Sequence, residues 1–243
     1  MVVHTAVPLA RSVTAPERVW YASYGSNMHL DRLAAYIGGG TPPGAARSYP
    51  GCRDARAPER SIAVELEGCL YFATESSVWA GGRGFYDPTA AGRTRGRAHL
   101  LTAAQVSDIA AQEMYRAPGA DLDLTTVLRE GRDESGPGRY ETLICPGAIE
   151  GIPVLTFTAP WTLDDVEVRP PSAAYLRHLA GGLLESGPWE EGDIAEYLAA
   201  CPGAAGVWTA TRVRELLRAD PGAPGGLSGS GPPPTGPSRG ASR

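Results

Sequence analysis

The sequence predicts an α+β chain, a domain of short strands and turns followed by a helical extension. Three observations predict it. Short apolar segments alternate with Gly- and Pro-bearing turns up to about residue 168, the pattern of strands. Pro170-Pro171 then interrupts the chain. Beyond it, apolar residues recur at helical spacing. The organisation therefore reads as an irregular N-terminal segment (1–17), an α+β domain (18–169), a helical extension (170–219) and a tail (220–243). The tail is rich in Gly, Pro and Ser. With almost no apolar side chain to bury, it cannot offset the entropy of ordering and is expected to be disordered.

Taken in order, Val19–Tyr24 is aromatic and bounded by Gly25, and reads as the first strand. His29–Ile37 reads as a short helix, with Asn27 as its N-cap and Gly38-Gly39-Gly40 as its stop. Ser61–Leu66 and Cys69–Thr74 flank Glu67-Gly68 and read as a hairpin. Arg95–Leu101 is a further strand, and Tyr140–Cys145 with Pro153–Thr158 an antiparallel pair. The extension carries helices at Ala173–Leu184, Glu190–Ala199 and Trp208–Leu217.

Composition removes several classes of function. The chain has 243 residues, 42% of them hydrophobic, and a net charge of −5. No apolar run approaches the ~18 residues of a membrane helix, and the N-terminus lacks the basic start and apolar core of a signal peptide. Without a basic stripe, nucleic acid is not an expected partner. All 22 basic residues are arginine. That excludes Schiff-base catalysis and a lysine-bearing phosphate loop, since each needs a side-chain amine. The four cysteines, at 52, 69, 145 and 201, form no C-x-x-C pair, and a reduced cytoplasmic setting is expected. The histidines, at 4, 29, 99 and 178, lack metal-ligand spacing.

The helix predicted over 102–116 carries the main chemical signal. Thr102 and Gln105 have the form of a capping box. Val106, Ile109, Ala110 and Glu113 then share one face, while Asp108, Gln112 and Arg116 face elsewhere. Glu113 thus lies among apolar residues near the helix C-terminus, and both settings disfavour its charge. A proton-exchanging carboxylate at neutral pH needs such a setting. The competing reading is a buried carboxylate paired with an arginine.

Tyr24-Gly25-Ser26-Asn27-Met28 leaves the first strand and opens a helix. A glycine there frees the backbone to turn and to approach a ligand, with the positive or strained dihedrals glycine tolerates. Successive amides at such a turn can hold an oxyanion. The competing reading is an ordinary strand-to-helix turn. Ser26 lacks the Gly-x-Ser-x-Gly frame of a hydrolase nucleophile. Gly81-Gly82-Arg83-Gly84 lacks the dinucleotide pattern and leads to Phe85 and Tyr86, which with Trp79 are candidates to wall a pocket; the competing reading is core packing or a loop anchor.

Tyr24–Met28 after a first aromatic strand resembles the signature loop of the γ-glutamylcyclotransferase-like family. Arg95–Leu101 followed by a helix ending in Glu113 is similar to its second landmark, a glycine-bearing strand before the helix of the catalytic glutamate. The flanks differ, with Ala110 and Ala111 before Glu113 and Met114 after it. The resemblance covers about residues 19–160. It implies a mixed sheet, partly closed as a barrel, with flanking helices. It also implies cyclisation of a γ-glutamyl amide to 5-oxoproline with release of an amine or amino acid. Glu113 would be the acid/base, and Tyr24, Gly25, Ser26, Asn27 and Tyr140 would hold the small-molecule substrate. No cofactor is implied. The alternative is a non-catalytic relative that binds a small ligand. The oligomeric state is not legible.

Overall fold

The computed structural model describes residues 2–9, 16–42 and 47–218. The tail expected at 220–243 lies outside them. Among the described residues, nine strands and six α-helices follow one another in this order: β1 (His4–Thr5), β2 (Arg18–Ser23), α1 (Leu30–Gly38), β3 (Arg60–Glu67), β4 (Cys69–Glu75), β5 (Gly82–Asp87), β6 (Arg93–Thr102), α2 (Ala103–Glu113), α3 (Thr125–Glu130), β7 (Arg132–Glu134), β8 (Thr142–Ile149), β9 (Ile152–Thr158), α4 (Ala173–Ser186), α5 (Glu191–Ala200) and α6 (Ala210–Arg218). The fold is α+β. Seven strands form a mixed sheet in the order β1-β3-β6-β2-β9-β8-β7, and β4 and β5 form a separate pair. The sheet is open in this order. A single bridge, Val7 to Ala148, ties the chain beyond β1 to β8 on the far flank.

β2 explains the layering. It runs antiparallel to β6 and parallel to β9, and five of its six residues are buried. Its alternating side chains serve two cores. Val19 and Tyr21 pack with Leu33 and Ile37 of α1 and Val106, Ile109 and Ala110 of α2. Trp20 and Ala22 pack with Leu176, Leu179 and Leu183 of α4, Ile194 and Leu198 of α5 and Val213 of α6. The C-terminal helices are therefore the second face of the sheet's own core. No helix among the described residues is long and apolar enough to cross a membrane.

Two sequence expectations are corrected. The segments at 61–66 and 69–74 do not pair as a hairpin. β3 pairs with β1 and β6, and β4 with β5. Gly68, at φ +113°, turns the chain out of the first sheet, and a Cβ there would press on Asp87 and Pro88. The N-terminal segment is not irregular throughout, since His4 and Thr5 pair with Val64 and Glu65. Asp108 and Gln112, which face away from the apolar stripe, are buried. Asp108 accepts from the backbone N–H of Arg53 and Gly119 and from the Arg53 guanidinium. Gln112 donates to Tyr36 O at 2.9 Å. These polar side chains thus tie α2 to the Arg53 backbone on one side and to α1 on the other.

The strand pair β4–β5 is docked through backbone. Phe72 N–H donates to Pro202 O, Arg169 N–H to Phe72 O, and Gly82 N–H to Pro170 O, all at 2.8–2.9 Å. A Cβ on Gly82 would collide with Arg169 O. Pro170-Pro171 thus bonds to β5 and leads into α4.

Candidate functional site

The capping box at Thr102 and Gln105 forms as expected and starts α2, which ends at Glu113. The loop after β2 forms a single 3₁₀ turn, Ser26–Met28, closed by Met28 N–H to Gly25 O at 3.2 Å. These two segments meet. Asn27 Nδ2 donates to Glu113 Oε1 at 2.9 Å and to the Tyr21 hydroxyl at 3.2 Å. Asn27 is therefore not the helix cap expected from the sequence. α1 starts at His29 with no side-chain cap, and the Asn27 amide is turned to the carboxylate instead. Glu113 makes no ion pair among the described residues. Its neighbour of opposite charge, Arg32, bonds to Ser26 Oγ at 2.8 Å and to the Tyr49 hydroxyl at 3.0 Å. Glu113 is half-buried.

One inner cavity, of about 60 Å³, is lined by Tyr24, Gly25, Ser26, Asn27, Glu113 and Tyr140, together with Tyr21, Gly84 and Tyr175. All six residues singled out in the sequence border the same space. It adjoins an outer cavity of about 520 Å³, with which it shares Ser26, Glu113, Tyr140 and Tyr175. Tyr24 enters the site by its ring, since its hydroxyl donates to Phe157 O at 2.6 Å. Tyr140 sits just before β8, its ring stacked on Phe85 and its hydroxyl 3.3 Å from Gly84 O. Burial pushes the Tyr21, Tyr24 and Tyr140 hydroxyls above their ordinary range. It also pushes Tyr175 up to about 12, so all four are neutral donors and acceptors.

Gly25 departs from expectation. Its φ is −118°, not positive. A Cβ on it would meet the Tyr175 hydroxyl at 3.8 Å, an ordinary contact. The glycine leaves open the space in front of the Tyr175 hydroxyl. Of the three aromatics considered as pocket walls, Trp79 lines the outer cavity, while Phe85 and Tyr86 are buried in the core.

The loop is held from behind. Ser26 O lies 3.2 Å from His178 Nε2, Asn27 O lies 3.2 Å from His99 Nε2, and Met28 O accepts from Arg97 at 3.3 Å. A carbonyl only accepts, so both imidazoles carry the proton on Nε2. Burial is the main force that lowers His178 to about 4 and His99 to about 3, so both are neutral near pH 7. A trans peptide sets its C=O and N–H in opposite directions. Each clamp on a carbonyl therefore also fixes the direction of the next residue's N–H.

Sequence reasoning missed Tyr21, Arg32, Tyr175 and His178. Arg32 had a signal. It shares the buried side of α1 with Leu33, Ala35, Tyr36 and Ile37, and a charge on an apolar helix face is what drew attention to Glu113. Tyr175 and His178 had none, because α4 reaches the loop only in three dimensions.

Known proteins offer a partial context. No family model matches the chain. The chain is 33% identical over 208 residues to a protein named histone deacetylase 5 from Arabidopsis thaliana, covering 77% of this chain and 31% of that protein's length. Among solved structures it is similar to an uncharacterised protein from Homo sapiens, at 16% identity, 84% and 100% coverage of the two chains and a TM-score of 0.45. It is also similar to a γ-glutamyl cyclotransferase, at 16% identity, 83% and 99% coverage and a TM-score of 0.44.

Proposed function

We propose that this chain cyclises a γ-glutamyl amide to 5-oxoproline and releases the amine, with Glu113 as the acid/base. One observation supports the reading above the others. The Tyr24–Asn27 loop and Glu113, 86 residues away in sequence from Asn27, border one cavity and are joined by a 2.9 Å hydrogen bond. Those are the two landmarks whose sequence resembles the γ-glutamylcyclotransferase-like family.

The substrate brings its own nucleophile. Its α-amine attacks the γ-carbonyl carbon and closes a five-membered ring. Folding the substrate for that attack supplies much of the rate, because intramolecular reactions reach effective molarities of about 10⁵ M or more. The α-amine, with an ordinary pKa of ~7.7–8, is largely protonated at neutral pH. Glu113 takes the proton. Asn27 holds Oε1, which leaves the second carboxylate oxygen for the transfer. The carbonyl oxygen becomes an oxyanion, met by the loop amides of Gly25, Ser26 and Asn27. Glu113, now a carboxylic acid, returns the proton to the leaving nitrogen as the old C–N bond breaks, and the ring nitrogen gives its second proton to the freed carboxylate, which passes it to the departing amine. The rings of Tyr24, Tyr140 and Tyr175 wall the chamber against water. No step calls for a metal or organic cofactor.

Deacetylation, the activity in the plant relative's name, is not carried over. The chain spans only 31% of that protein. Among the described residues, no group of three or more His, Cys, Asp or Glu is arranged to hold the metal of a metal-dependent deacetylase.

The test is incubation with γ-glutamyl amines and γ-glutamyl amino acids, with 5-oxoproline measured by mass spectrometry. The α-glutamyl isomers serve as controls, since their amine cannot close the same ring. Release of 5-oxoproline from a γ-linked compound alone is expected. No release from any member of a broad panel would refute the reading.

A further inference from the structure

His29 stands just outside the proposed machinery, and no step of the reaction uses it. It precedes α1, borders the outer cavity and lays its ring on α4. Nδ1 is 3.0 Å from Glu185 Oε2, and Nε2 is 2.7 Å from His178 O. Both neighbours are acceptors. A carbonyl oxygen has no proton to give. Neither has Glu185 near pH 7. Burial works against its charge, but the Arg97 guanidinium at 2.7 Å and the Leu30 N–H hold its carboxyl below the ordinary range. A neutral imidazole carries one N–H and can satisfy one of the two acceptors. Only the imidazolium satisfies both.

The sequence of α4 carries an independent sign of the same contact. Gly181-Gly182 stand in the middle of that helix, where only proline is a poorer helix former. A Cβ on Gly181 would lie 3.3 Å from His29 Cε1, and one on Gly182 would lie 3.3 Å from His29 Cδ2 and 2.9 Å from Met28 Cβ. The helix gives up two side chains, and the His29 ring lies against its backbone. The contact closes a circuit behind the loop. His178, whose carbonyl faces His29, turns its own Nε2 to Ser26 O. Glu185, bonded to His29 and to Leu30 N–H, pairs with Arg97, which also donates to Met28 O. The charged or titratable groups around His29 are therefore Glu185 and His178 of α4, Arg97 of β6 through Glu185, and Asp31 and Arg32 of α1.

We propose that His29 is a positioning residue for the Tyr24–Asn27 loop, an imidazolium that ties Glu185 to the His178 carbonyl and so sets His178 against Ser26 O. With its proton, both bonds hold, and the Asn27 N–H that follows the Ser26 carbonyl keeps its direction. Without it, one bond is lost, α4 is held at one point fewer, and the loop loses order at its oxyanion donors. Turnover then responds to a proton that takes no part in the chemistry. That effect on turnover rests on the cyclotransferase reading. The bridge and its effect on the loop do not.

The experiment has two arms, both on the full chain. The first is proton–nitrogen correlation spectroscopy of the labelled, unaltered protein, with the His29 ring assigned through bonds to its backbone. At about pH 6 both ring N–H protons are expected to be visible, because each is bonded and shielded from exchange with water. As the pH is raised toward about 9, the Asn27 backbone N–H signal should move with the same midpoint as the His29 ring. His99 and His178, lowered to about 3 and about 4, stay neutral over that range. A His29 ring that shows fewer than two N–H protons at about pH 6 overturns the proposal, as does an Asn27 signal that stays still while His29 loses its proton. The second arm compares 5-oxoproline release by the unaltered chain and by His29→Gln, whose side chain offers one donor group, as a neutral imidazole does. The kcat ratio should be about 10-fold at the acid end, the low edge of what one charge-assisted hydrogen bond contributes, and should approach one at the alkaline end with KM little changed. A ratio that is constant with pH marks a packing role and overturns the proposal. The first arm needs no variant, so it stands if His29→Gln fails to fold. The reaction is judged separately. Coupled movement of His29 and Asn27 without 5-oxoproline from any substrate keeps the bridge and sinks the chemistry, whereas 5-oxoproline with a constant ratio and a still Asn27 does the reverse.

Discussion

Glu113→Gln separates the two roles open to a half-buried carboxylate. The substitution keeps the shape and an oxygen to accept from Asn27 Nδ2, now 2.9 Å from Oε1. It removes the charge and the exchangeable proton. In stability, one hydrogen bond to a charged group, worth about 1.5–3 kcal/mol, becomes a neutral one worth about 0.5–1.5 kcal/mol, a loss of about 1 kcal/mol. For a domain of about 200 residues that lowers Tm by about 2–4 °C. No ion pair is broken, so the ~3–5 kcal/mol cost of orphaning a buried partner does not arise. Turnover responds differently. Without a group to take and return the proton, kcat should fall by about 10²–10⁴-fold while substrate affinity changes little. Thermal melts and 5-oxoproline release on one preparation read both numbers. A variant that turns over normally in its folded fraction refutes the acid/base role, whatever its melt.

Four further outcomes are expected. Gly25→Ala should fold with an unchanged melt, because φ is −118° and its Cβ meets the Tyr175 hydroxyl at 3.8 Å. It should weaken substrate binding by intruding on the chamber, and unaltered calorimetric affinity would contradict that. His178→Phe keeps a ring beside Trp79 but strands Ser26 O, so kcat should fall more than KM rises. His178→Gln, which retains a donor, should recover part of the loss. His99 and His178 are depressed in the folded chain from 6.5, to about 3 and about 4, so the unfolded chain binds more protons as pH falls below about 6.5. Their contribution is complete above that pH, and Tm should decline between pH 6.5 and 5, before most carboxylates titrate, with a smaller slope in His178→Gln. Gly82→Ala drives a Cβ into Arg169 O and should cost about 1–3 kcal/mol, read by urea melts.

The strands and helices were legible where one physical rule governs them. β2 reads as a strand because both its faces are buried from Val19 to Ala22, where each position holds an aromatic or small apolar residue. α2 reads as a helix because its capping box and apolar stripe agree. The misread hairpin shows the limit. Two strands separated by Glu67-Gly68 fit the local hairpin pattern, but pairing partners are chosen by the sheet. β6 is ten residues long and pairs with β3 on one side and β2 on the other, leaving β4 to β5. Nothing within residues 61–74 encodes the position of β6.

The site was legible where a residue broke the rule of its own element. Glu113 sits on a stripe that should be apolar, and Gly25 ends a strand where packing would favour a side chain. Asn27 was noticed for the wrong reason. Its type suits a helix cap, and only the arrival of α2 shows that its amide is spent on Glu113. The residues that were missed follow the rules of their elements. Tyr175 and His178 begin a well-formed amphipathic helix whose Ser172 cap is satisfied, so locally they look like packing residues. Their effect comes from docking, which aims His178 at Ser26 O and sets the Tyr175 hydroxyl near Gly25 and Gly84. The helices after Pro170-Pro171 therefore complete the loop that the first strand presents. A chain with the same Tyr24–Asn27 motif but no equivalent of α4 would have to hold those carbonyls by other means.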